Sequence, residues 1–113
     1  MIHFTDPRTP GFKSEHWTDI QDNPAGGVSM GVGFVISWQN GPLGTDKFRK
    51  EPNGAFVEDV ISAVLDRISF YQASPFRCEE NEEALTHLKL ALEALHHRTA
   101  KREEKGVEGT HEL

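Results

Sequence analysis

The sequence predicts an α+β fold, a small N-terminal antiparallel β-sheet followed by a C-terminal antiparallel two-helix hairpin. Three observations carry this. Apolar and small or polar residues alternate from Val28 to Gln39, two apolar stripes of helical period follow between Ala55 and Glu104, and Gly, Pro and Asn clusters separate the blocks. The 113 residues suit one compact domain. Loops and a small sheet are expected over 1–51, the hairpin over 52–105 and a tail over 106–113.

Met1 to Asn23 mixes turn formers (Asp6, Pro7, Pro10, Gly11) with scattered apolar residues and reads as loops with short strands. From Val28, Met30, Val32, Phe34, Ile36 and Trp38 alternate with Gly31, Gly33, Val35, Ser37 and Gln39, the period of a single strand. Gly31 and Gly33 strip side chains from one face, leaving room for another backbone or a flat ligand. Asn40-Gly41-Pro42 ends the strand. Leu43 to Glu51 is polar, with a second short strand expected around Lys47 to Arg49.

Asn53 can cap a helix, and Glu58 and Asp59 suit its positive end. Val57, Val60, Ile61, Val64, Leu65, Ile68 and Tyr71 recur at helical spacing, which predicts helix one at about Ala55–Gln72. Ser74-Pro75 reads as a cap with proline at the first helical position. Leu85, Leu88, Leu92 and Leu95 step by three and four, so helix two is expected from about Pro75 to Glu104, ending before Gly106. The two stripes need each other, and a short connection makes the pair an antiparallel hairpin. Phe56, Ala84, Leu90, Ala91 and Ala94 widen the apolar face beyond that pairing, so a homo-oligomer is expected.

Composition excludes several function classes. A formal net charge of −6 disfavours a protein that coats DNA or RNA, although a local basic pocket can still hold a ligand with two or three phosphates. The single cysteine, Cys78, rules out an internal disulfide framework and points to a reducing compartment. No apolar run approaches a membrane span, so no membrane partner is expected. His87 and His96 are nine apart and His96-His97 adjacent, so no helical zinc pair forms, and Glu83–His87 lacks the Glu-x-x-His spacing of di-iron bundles. Neither a metal nor a cofactor is implied. Cys78 lies among glutamates that disfavour a thiolate, and no serine sits in a strand–turn–helix elbow, so no catalytic residue is assigned.

Three segments carry binding chemistry, each with a plainer alternative. Arg98, Lys101, Arg102 and Lys105 gather four cations where a helix ends. Cations there complement the helix dipole, yet Arg98 or Arg102 can also fork a phosphate. The sequel Gly106-Val107-Glu108-Gly109-Thr110-His111 adds flexible backbone and polar donors in Gly109, Thr110 and His111. Trp38-Gln39-Asn40 sets a ring and two amides at a strand end, either a core tryptophan before a turn or a surface for a purine face and edge. Phe76, Arg77 and Asn81 open helix two, where they either cap and pack or add to an anion site of free backbone N–H groups.

These residues resemble a family. Pro52-Asn53-Gly54-Ala55-Phe56-Val57-Glu58-Asp59-Val60, Tyr71-Gln72, Phe76-x-Cys78-x-Glu80-Asn81 with Ala84-Leu85, and Arg98-Thr99 leading to Gly-Val-Glu-Gly-Thr-His are similar to the helical hairpin of phage anti-defence sponges. Those sponges are of the Thoeris anti-defence and anti-CBASS kinds. Gly33 to Leu43 resembles the small sheet of the Thoeris branch. The resemblance implies a homo-oligomer, dimer to hexamer, in the cytoplasm of the infected bacterial host. It implies binding without cleavage of cyclic nucleotide signalling molecules, cyclic ADP-ribose isomers and in some members cyclic di- or trinucleotides, at protomer interfaces. By position, Asn81 and Arg98 would contact an ADP-ribose-type ligand, with Met30, Trp38 and Asn40 from the sheet. Arg102, Gly109, Thr110 and His111 would form a second, trinucleotide site. A scaffold that only assembles, or an enzyme degrading the messenger with His111 as general base, are the competing classes.

Overall fold

The computed structural model describes the backbone of residues 2–4 and all of residues 8–113. The chain forms two compact units, Met1–Phe56 with Val107–Leu113, and Val57–Gly106. The layout is α+β, a sheet followed by two helices, as the sequence led us to expect.

In the first unit β1 (Ile2–Phe4), β2 (Lys13–Thr18), β3 (Pro24–Gly31) and β4 (Phe34–Asn40) form an antiparallel sheet in sequence order. The β2–β3 turn closes on Asp19, whose Oδ1 accepts the N–H groups of Gln21 (2.9 Å) and Asn23 (3.0 Å). Pro24 stands first in β3, where a missing N–H is tolerated. The single strand expected over Val28–Gln39 is corrected to two. Gly31 pairs with Phe34, which leaves Val32 and Gly33 as a two-residue turn, and Gly33 adopts φ +85°.

That turn also reverses a face assignment. A simple alternation sets Met30 on the side of Phe34, Ile36 and Trp38. The register pairs Met30 with Val35, Ser29 with Ile36 and Gly27 with Trp38, so Met30 lies on the opposite face from Trp38. The space expected beside Gly31 is filled as well, because a Cβ there would run into the Phe34 ring.

β4 is an edge strand, and the chain itself covers part of its edge. Ala55 donates its N–H to the Ser37 carbonyl (2.8 Å) and accepts from Gln39 (3.0 Å). Asn53 accepts the Asn40 N–H on Oδ1 (2.8 Å) and donates Nδ2 to the Asn40 carbonyl (3.1 Å). Its own N–H goes to Gln39 Oε1 (2.9 Å). Asn53 therefore does not cap helix one, since its amide is committed to the strand end. The strand expected at Lys47–Arg49 is also corrected, to a 3₁₀ turn at Asp46–Phe48.

The second unit is the hairpin of α1 (Val57–Gln72) and α2 (Glu79–Lys105). Leu85 is buried, and Leu88, Leu92 and Leu95 are half-buried, as are Val60, Ile61, Leu65 and Ile68 of α1. Helix two starts four residues later than expected. Ser74 Oγ accepts the Phe76 N–H (3.1 Å) within a tight turn, and the Gln72 amide brackets Cys78, accepting its N–H and donating to its carbonyl, each at 3.0 Å. Gln72 also donates to Glu82 Oε2 (3.1 Å), which ties the end of α1 to the first turn of α2. Gly106 (φ +73°) closes α2 in the left-handed conformation and donates to Arg102 and Glu103 carbonyls. Among the described residues no helix is long and apolar enough to cross a membrane.

Candidate functional site

The expected site residues are divided between the two units. Met30, Trp38, Asn40, Gly109, Thr110 and His111 belong to the first unit, and Phe76, Arg77, Asn81, Arg98 and Arg102 to the hairpin.

Trp38 is half-buried near the end of β4, and its indole Nε1–H donates to Ser29 Oγ at 2.8 Å. Ser29 in turn stands 2.7 Å from Ser14 Oγ, and both serines are buried, 4% and 5% exposed. Asn40 is two residues on, exposed, with its backbone held by Asn53. Gln39 of the same segment is committed internally, to Asn53 and to the Gly41 carbonyl (3.2 Å), so the paired amides expected to read a purine edge reduce to Asn40. Met30 does not join them. It lines a half-open pocket of about 350 Å³ with Lys13, Ser14, Glu15 and Val28, on the other side of the sheet.

The tail is a folded strap. Val107 is buried, the Gly109 carbonyl accepts the Gly44 N–H at 2.9 Å, and Glu108 receives Arg49 Nη1 and Nη2 at 2.9 and 3.0 Å. Gly109 is at φ +82°, and a Cβ there would collide with the Gly44 carbonyl oxygen. Thr110 Oγ1 donates to the Val107 carbonyl (2.6 Å) and accepts the Glu112 N–H (3.1 Å), so its hydroxyl serves the turn. His111 is exposed beside Asp19. The unit thus offers His111 from the tail more readily than Thr110.

On the hairpin, Phe76 is 80% exposed in the inter-helix turn, Arg77 is exposed, and Asn81 is half-buried in the first turn of α2. Arg67, absent from the sequence-based candidates, stands over the rings of Phe70 (5.1 Å) and Tyr71 (4.9 Å) and donates Nε to the Tyr71 hydroxyl (3.1 Å). Its i, i+4 spacing to Tyr71 was the available signal. Arg98 is exposed and Arg102 half-buried toward the other end of α2. Seventeen residues separate Asn81 from Arg98, about 26 Å along the helix at 1.5 Å per residue. One chain therefore does not bring these two side chains to one small ligand.

A family model for the Acb2/Tad1 hairpin domain matches residues 30–100, well over half of the chain. The chain belongs to that family. The span matched by the Acb2/Tad1 hairpin model takes in Met30, Trp38, Asn40, Phe76, Arg77, Asn81 and Arg98, and stops short of Arg102 and the strap. The chain is also similar to Thoeris anti-defense 1 of Bacillus phage SBSphiJ7, 46% identical over 78 residues, which are 64% of this chain and 55% of that protein. It spans little more than half of that relative's length.

Proposed function

We propose that this Acb2/Tad1 hairpin protein is a phage anti-immune sponge. It binds and sequesters cyclic nucleotide second messengers, cyclic ADP-ribose isomers and also cyclic di- or trinucleotides, without cleaving them. In the cytoplasm of the infected host this withholds the activating signal from Thoeris or CBASS effectors. The observation that carries the reading is the family match itself, which contains Trp38, Asn40, Asn81 and Arg98, joined to the 46% identity with a Thoeris anti-defence protein.

The helix length supports a site shared between two copies of the chain. Asn81 and Arg98 lie about 26 Å apart on one rigid helix, far more than a cyclic ADP-ribose spans. A pocket that uses both takes Asn81 from one copy of the hairpin and Arg98 from another, in a homo-oligomer. Exposed Leu90, Ala91 and Ala94 on α2 give that second copy an apolar surface. Arg98 supplies a charge-assisted fork to a phosphate, and sequestration rests on affinity and stoichiometry.

The test is to incubate the protein with cyclic ADP-ribose isomers and cyclic oligonucleotides, denature it and identify what is released. Intact messenger supports the sponge. Cleaved messenger identifies an enzyme, and no retention a scaffold. Arg98→Ala removes a hydrogen bond to a charged group, worth about 1.5–3 kcal/mol, so calorimetry should show affinity lowered roughly 10- to 150-fold with assembly intact. Unchanged affinity sinks the assignment of Arg98.

A further inference from the structure

The centre of the sheet holds polar groups where an apolar core is ordinarily found. Ser14 and Ser29 pair across β2 and β3, are almost wholly buried, and stand 2.7 Å apart. Burying two hydroxyls is unfavourable unless each finds a partner, and replacing both with apolar groups of like size is often neutral. What this pair accomplishes is visible at its far end, where Ser29 Oγ accepts the indole N–H of Trp38 at 2.8 Å. The geometry points to Ser29 as a positioning residue for Trp38. Ser29 fixes the plane of the indole ring at the end of β4, and Ser14 orients the Ser29 hydroxyl. This rests on the reading of Trp38 as a messenger contact and adds to it the residue that sets the ring's orientation.

The positioning is steric as well as electrostatic. Trp38 pairs with Gly27, which has no side chain to wedge the ring from the neighbouring strand. Its backbone is held on the other side by the bridge to Ala55. The main chain is therefore fixed while no side chain stands directly opposite the ring, and the N–H···Oγ bond to the diagonal Ser29 selects one rotamer. A flat ligand that stacks on the indole meets a ring already oriented, which lowers the ordering cost of binding.

Two substitutions separate this role from plain stability. Ser29→Ala and Ser14→Ala each delete one buried hydroxyl from the same chain of bonds, but only Ser29→Ala removes the acceptor of the indole. The readouts are the indole N–H resonance of Trp38, told from that of Trp17 with a Trp17→Phe variant, and affinity for the cyclic ADP-ribose isomer the unsubstituted chain retains best. Ser29→Ala should shift the resonance upfield and weaken binding about fivefold, the worth of one ordinary hydrogen bond. Ser14→Ala should keep the resonance and stay within about twofold in affinity. If Ser29→Ala does not fold at room temperature, a cycle with Trp38→Phe at lower temperature decides, because without the indole N–H the Ser29 effect on affinity must vanish. Equal affinity losses in the two serine variants, or none in Ser29→Ala, overturn the proposal while messenger binding stands. Retention of no messenger by the unsubstituted chain, with the indole resonance still dependent on Ser29, overturns the sponge reading and the ligand role of the anchor, leaving a bond that is only structural.

Discussion

Arg49 and Glu108, 59 positions apart in sequence, meet through two parallel N–H···O bonds. Both side chains are partly solvated, 43% and 31% exposed, so solvent screening keeps the pair at the scale of a surface bridge, about 0.5–1 kcal/mol, with its fork geometry at the upper end. A double-mutant cycle of Arg49→Met and Glu108→Gln, followed by thermal unfolding, should return a coupling of that size that shrinks in about 1 M salt. A coupling of zero at low salt would show that the strap is held without this pair. Asp19 poses a different single-residue question. The Asn23 N–H, ahead of the Gln21 N–H, stabilises its carboxylate, and with the charge of His111 they hold its pKa below the ordinary 3.8. A depressed carboxylate contributes stability that is present above the unfolded pKa and lost as pH falls through the folded one. The stability advantage of the native chain over Asp19→Ala should therefore be present at about pH 5 and shrink as pH falls below the ordinary value. An advantage that stays level down to pH 2 would refute this account of the turn.

At the scale of elements, the turns decide what the chain could announce. Gly33 and Gly109 both adopt positive φ, but a Cβ on Gly33 meets nothing within 4 Å while one on Gly109 strikes the Gly44 carbonyl oxygen. Gly33→Ala should cost only the left-handed conformation, about 1 kcal/mol, and Gly109→Ala at least twice that in the same unfolding assay. Equal costs would mean that the strap yields readily. The same elements show where sequence reading succeeds and stops. Stripes such as Leu85-Leu88-Leu92-Leu95 announce helices because the period is local. The Val32-Gly33 turn is hidden from the sequence pattern because a two-residue reversal leaves the alternation unbroken along the chain while swapping which face each residue joins, so the pattern alone groups Met30 with Trp38. Asn53 and Ser74 carry cap-forming side chains, but the β4 edge and the Phe76 N–H claim them. Such claims rest on contacts between segments, as does the Arg49–Glu108 fork. Of the proposed site, Trp38, Asn40, Asn81 and Arg98 are nominated by their chemistry and family pattern, whereas the serines behind Trp38 look like ordinary strand residues.

For the whole molecule the decisive feature is how little apolar surface the chain buries. Among the described residues only Leu85 and Val107 are buried hydrophobics, while Val64, Leu90 and Phe70 remain exposed. A core this thin leaves a chain near the margin of stability, and in the proposed homo-oligomer a second copy would cover the exposed face. Leu90→Glu places a charge in that surface and should shift sedimentation toward the monomer. A shared pocket makes a sharper claim. In a two-fold dimer each pocket takes Asn81 from one copy and Arg98 from the other, so Asn81→Ala and Arg98→Ala homodimers each have two damaged pockets. When the two variants are mixed and subunits exchange, half of the dimers are heterodimers. In each heterodimer one pocket collects both substitutions and the other recovers both native residues. Roughly a quarter of the native pocket number should return at native affinity, measured by calorimetric stoichiometry. Were Asn81 and Arg98 to serve a ligand within one chain, or to belong to separate sites, mixing would restore no pocket, and that result would dismantle the shared site while leaving the family assignment untouched.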